Sequence, residues 1–77
     1  MQFVNCIVLS VTGDQFEAAI YSGCQTWKER IGEITFRLAP YSLRGNDPSV
    51  KPGDKLIVGW FGDDTDHIVW QVANVNP

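Results

Sequence analysis

The stretch from Val50 to Val75, VKPGDKLIVGWFGDDTDHIVWQVANV, reads as a turn, a strand, an acidic hairpin loop and a second strand. Pro52 pre-sets φ for the second position of a turn, and Gly53 accepts the positive φ that a type II turn needs at the next. From there Leu56, Val58 and Trp60 alternate with Lys55, Ile57, Gly59 and Phe61, so one face is uniformly large and apolar and is expected to point inward. After Gly62 to His67, the side chains of Ile68, Trp70 and Val72 alternate with Val69, Gln71 and Ala73, which predicts a return strand with the first three facing in. The two runs make a hairpin.

The chain ahead of this hairpin supplies its partners. Phe3 to Thr12 is rich in β-branched residues and holds no breaker; Phe3, Asn5, Ile7, Leu9 and Val11 alternate with Val4, Cys6, Val8 and Ser10. Both faces are apolar, so the strand is expected to be central. With Gly13-Asp14 as a two-residue turn, Val11 faces Phe16, Leu9 faces Ala18, Ile7 faces Ile20 and Cys24 falls opposite Phe3. Residues 21–26 read as a loop, with Trp27 to Arg30 as a short turn or its tail. A third strand runs from Ile31 to Leu38, with Ile34, Phe36 and Leu38 inward and Glu33, Thr35 and Arg37 outward. Pro40 is expected to stop it, and Tyr41 to Val50 to form a connection with one helical turn near Tyr41 to Arg44. The tail of residues 74–77 has little to hold it after Val75 and should fray.

Three meandering strands, a connection and a final hairpin suit an all-β, small five-stranded barrel of the OB type, because closure removes the edges a flat sheet would expose. An SH3-like barrel is the alternative. Seventy-seven residues make one domain, residues 1–77, and a chain of this size buries only about 60% of its unfolded surface. Apolar residues at 44%, with three Trp, four Phe and two Tyr, are enough to build a core.

A net charge of −3 argues against a general attraction to nucleic acid or anionic membrane. No run of about 18 apolar residues and no leader pattern is present, so no membrane span is expected and the cytoplasm is the expected location. Parity places Cys6 on the face opposite Cys24, so the two are not expected to pair. Two distant cysteines and one histidine lack zinc-ligand spacing, and no metal or other cofactor is expected. The loop Asp63-Asp64-Thr65-Asp66-His67 offers oxygen ligands, yet it lacks the twelve-residue calcium pattern and reads as a solvated hairpin tip. His67 beside Asp66 has no nucleophile placed to serve, and the glycines form no phosphate-binding loop, so an enzyme is not expected.

Binding is what remains. Single-stranded RNA or DNA needs aromatic faces for stacking among cations that follow the phosphates, and the middle third offers Trp27, Lys28, Arg30, Arg37, Tyr41 and Arg44. The competing reading has Trp27 capping the barrel and the cations pairing with nearby acids. Single-stranded nucleic acid is the first expectation; the alternative is a protein interface, including a homo-oligomer, which would use apolar residues in excess of one core, and the alternation assigns these as Val4, Val8, Ile57, Phe61 and Val69.

Gly53-Asp54-Lys55 and the apolar alternation after it resemble the small OB barrels of the S1 and bacterial initiation-factor-one type. This likeness implies single-stranded nucleic-acid binding on the second and third strands. Arg37, Pro40, Gly45, Gly53-Asp54, Val58-Gly59, Gly62-Asp63 and Ile68-Val69 are similar to the OB domain of phage baseplate and spike proteins, which implies a structural assembly role.

Overall fold

A computed structural model of the chain describes residues 2–23, 26–43 and 50–75, of which 39–43 by their backbone. Five strands form: β1 (Gln2–Thr12), β2 (Gln15–Tyr21), β3 (Arg30–Leu43), β4 (Lys55–Trp60) and β5 (Ile68–Asn74). They close into a barrel in the order β1-β2-β3-β5-β4, with β4 returning to β1. All pairings are antiparallel except β3 with β5. No helix among the described residues is long and apolar enough to cross a membrane.

Turn chemistry sets the corners. Gly13 at φ 60° lets Thr12 pair with Gln15 across a two-residue turn, and Gly53 at φ 90° makes the turn into β4. The Gly53 N–H also donates to Val8 O at 2.7 Å, which fastens that turn to β1.

Irregularities in the ladder decide which side chains face in. Between β1 and β2, Val11 does face Phe16, but Ser10 pairs with Glu17 and Val8 with Ala18, so Leu9 has no partner in the register. A bulge of one residue reverses every side chain beyond it. Cys6 and Val8 therefore enter the core while Phe3 and Leu9 stay outside, the opposite of the face expected from alternation alone. Cys6 is a free thiol facing that core; Cys24 lies outside the described residues. Between β4 and β5, Trp60 pairs with Val69 and Gly59 with Gln71. Trp70 is the extra residue, so Val69 is buried and Trp70 is exposed, again a correction. Between β2 and β3, Ile20 pairs with Gly32 and Tyr21 with Arg30, which leaves Ile31 on the outside.

β3 does not stop at Pro40. Its 14 residues would reach roughly 43 Å if straight, at about 3.3 Å each, whereas the longest extent of the molecule is 30 Å. The strand has to bend, and it pairs with β2 over its first half and with β5 over its second. The pairing with β5 skips from Leu38–Val69 to Leu43–Gln71, and Pro40 sits in the skipped stretch, where the ladder needs no N–H from it. Tyr41 to Leu43 are strand and not a helical turn; Arg44 and the connection 45–49 lie outside the described residues.

The core is Cys6, Val8, Phe16, Ala18, Ile20, Phe36, Leu56, Val58, Trp60 and Val69, with Val4, Ile34, Leu38, Val50 and Val72 packed against it. Phe36 is its centre, with ring centroids 5.4 Å from Phe16 and 5.3 Å from Trp60. His67, in the left-handed region at φ 53°, stands edge-on to Phe36 and Trp60 at 6.1 and 5.8 Å.

Candidate functional site

Among the described residues of the basic, aromatic middle third, Trp27 and Arg30 are engaged within the chain. The loop between β2 and β3 folds back over β1, where Asn5, 3% exposed, donates from Nδ2 to Gly23 O at 2.7 Å and Thr26 O at 3.2 Å. Trp27 follows it down: its indole N–H donates to Cys6 O at 3.1 Å, and Lys55 Nζ lies 5.8 Å from its ring centroid. The ring is half-buried and held on β1. Arg30 pairs with Glu33 at 2.7 Å, an exposed pair that contributes about 0 to 1 kcal/mol and offsets one of the cations. Lys28 and Arg37 are exposed. Arg37 sits seven residues along β3 from Arg30, roughly 23 Å at strand rise. Tyr41 lies on β3, and Arg44 is outside the described residues.

Arg37 has its own surroundings. Its N–H donates to His67 O and that of Leu38 to Asp14 O, so the β1–β2 turn and the β4–β5 loop converge on it. A cavity of about 100 Å³ lies there between Gln15, Thr35, Phe36, Arg37 and Asp66. A neighbour of about 150 Å³ is lined by Ser10, Thr12, Gln15, Phe16, Glu17 and Thr35. Both fall short of the roughly 300 Å³ at which small-molecule sites begin.

The acidic loop is occupied with its own backbone. Asp64 accepts from the N–H of Asp66 and of Ile68, both at 2.9 Å. The Ile68 bond first, then the Asp66 bond and nearby His67, hold the Asp64 carboxyl below its ordinary range. Among the described residues, no three His, Cys, Asp or Glu side chains stand where they could share a metal ion.

The expected apolar surface is only partly where alternation put it. Val8 and Val69 are core residues and Val4 packs against the core, so none of the three belongs to an outer patch; the bulges at Leu9 and Trp70 are the reason. Ile57 is half-buried and Phe61 is 49% exposed. Two residues missed by the alternation join Phe61: Phe3, 54% exposed, and Trp70, 36% exposed. Phe3 pairs with Gly59 from the β1 side, Gln71 pairs with it from the β5 side, and Trp70 is the bulged residue beside Gln71. Phe61 is two residues beyond Gly59, and its ring meets Trp70 edge to face at 6.2 Å. The signal that could have found this cluster was the apolar surplus on both faces of β1 and β5. Comparison with protein-family models, with curated proteins and with solved structures finds no match for this chain.

Proposed function

We propose that this is an OB-type barrel acting as a non-catalytic binding module, and that it docks on protein through the aromatic face around Gly59. The Greek-key order β1-β2-β3-β5-β4, with β3 parallel to β5, supports the OB assignment. The observation that carries the docking reading is the grouping of Phe3 on β1, Trp70 on β5 and Phe61 just past β4, beside strands that hold almost no charge. β1 and β5 contain no charged residue and β4 only Lys55. Aromatic enrichment with charge depletion is the composition of an interface centre.

The nucleic-acid reading would use the exposed Arg37 and Lys28 with the half-buried Trp27 ring, and it has less support. Trp27 is hydrogen-bonded to β1 with a cation already near its ring, and the chain carries net negative charge. Affinity capture from cell extract tests the choice. Proteins retained by the wild type should be lost with Phe61→Lys, kept with Arg37→Ala and insensitive to nuclease. Retention that is abolished by nuclease and by Arg37→Ala would favour nucleic acid instead.

A further inference from the structure

The uncharged face is bordered by opposite charges at its two ends. β4 begins at Lys55, beside Lys51 and Asp54, and leads past Gly59 and Phe61 into Asp63, Asp64 and Asp66. The first end is net positive and the second strongly negative, with six residues from Lys55 to Phe61, about 20 Å at strand rise, between them. Lys28 and Glu29, on the loop that folds over β1 beside Lys55, are of opposite sign and leave that end net positive, while Glu17, Arg30, Glu33 and Arg37 are carried by β2 and β3, which are not adjacent to β4 in the ring.

We infer, resting on the docking reading above, that the partner is a second copy of this chain, joined by a two-fold axis that runs the two β4 strands antiparallel. In an isologous contact each surface meets itself reversed, so residue i of one copy meets residue j of the other and the converse. Reversal sets the Lys55 end of one copy against the acidic loop of its partner twice over. It also leaves only uncharged side chains where the two centres meet. A parallel arrangement would bring the two acidic loops together. Like charges suppress it.

The area sets the strength. Aromatic side chains present about 150 to 250 Å² each, so Phe3, Phe61 and Trp70 together expose on the order of 300 Å². Stable interfaces bury roughly 800 Å² per partner. The dimer is therefore weak and forms with rising concentration.

Sedimentation velocity over a concentration series tests this on the full chain. The wild type should move from 8.6 kDa toward twice that mass, with the dimer weakened by salt. Phe61→Lys should stay monomeric with an unchanged far-UV spectrum, and Trp70→Ser serves as the second variant if Phe61→Lys does not fold. Ile31→Lys, exposed on β3 away from β4, should dimerise like the wild type. Lys55→Glu should weaken the dimer, and adding Asp63→Lys should restore it. A wild type that stays monomeric at every concentration overturns the inference, as does a Phe61→Lys or Trp70→Ser variant that dimerises normally. If the monomeric wild type still captures proteins that Phe61→Lys loses, self-docking alone has failed and the docking reading stands.

Discussion

Val8 lies opposite Ala18 across β1 and β2, and both side chains are in the core, 2% and 0% exposed. That pairing depends on the bulge one residue later. It makes neighbouring positions opposite in consequence, since Leu9 is outside. Val8→Lys should bury a charge with no partner and leave the chain unfolded, whereas Leu9→Lys should stay within about 0.5 kcal/mol of the wild type. Urea denaturation of the two variants checks this, and equal stability would contradict the register.

Asn5 holds the β2–β3 loop to β1, and Trp27 extends the same attachment. Asn5→Ala should cost about 1 to 3 kcal/mol, because two loop carbonyls lose a buried donor. Trp27→Phe, which removes the indole N–H, should cost roughly 0.5 to 1.5 kcal/mol. Because both act on one loop, a double-mutant cycle should give a coupling of about 0.5 kcal/mol or more. Additive losses would mean that the two contacts do not share a loop.

Acid should loosen the β4–β5 loop. Asp64 has a folded-state pKa below its ordinary 3.8, because the Ile68 and Asp66 N–H groups favour its charged form. Its contribution is therefore complete above pH 3.8 and is lost as pH falls through the lower folded value. The amide resonances of Asp66 and Ile68 should move together in that window, and Asp64→Ala should abolish the movement. Amides that titrate above pH 3.8 would contradict the hydrogen bonds.

Burial raises the Cys6 thiol to about 12 from an ordinary 9.0. The neutral form is the one the fold accommodates, so this contribution is present below pH 9.0 and is lost as pH rises toward 12. In a Cys24→Ser background, a thiol reagent at pH 8 should react only as fast as the protein unfolds. Prompt reaction in the native state would place Cys6 outside the core.

Five strands and the inward faces of two of them were legible because their alternation is uninterrupted: Leu56, Val58 and Trp60 on β4, and Ile34, Phe36 and Leu38 on β3. The faces of β1 and β5 were not. Leu9 and Trp70 are as apolar as the residues they displace, so a one-residue insertion leaves no trace in composition while it exchanges the two faces. Pro40 misled for a related reason, since a proline inside a strand is compatible with a break in pairing that only the partner strand reveals. Of the two surfaces, Trp27 was legible as an aromatic among cations, but its hydrogen bond to Cys6 O was not, because nothing in a loop's composition says which strand it folds over. Phe3 and Trp70 became visible once the bulges were placed.

The three tryptophans report on three separate regions: Trp27 in the β2–β3 loop beside β1, Trp60 in the core, and Trp70 on the aromatic face. Their indole N–H resonances in one two-dimensional NMR spectrum therefore test directly which surface works. Raising the protein concentration should shift Trp70 and, through Lys55 beside its ring, Trp27, while Trp60 in the core stays fixed; adding single-stranded oligo-U RNA at low salt, where phosphate contacts are strongest, should move none of the three. A Trp27 resonance that shifts with RNA while Trp70 stays fixed under both titrations would contradict the account.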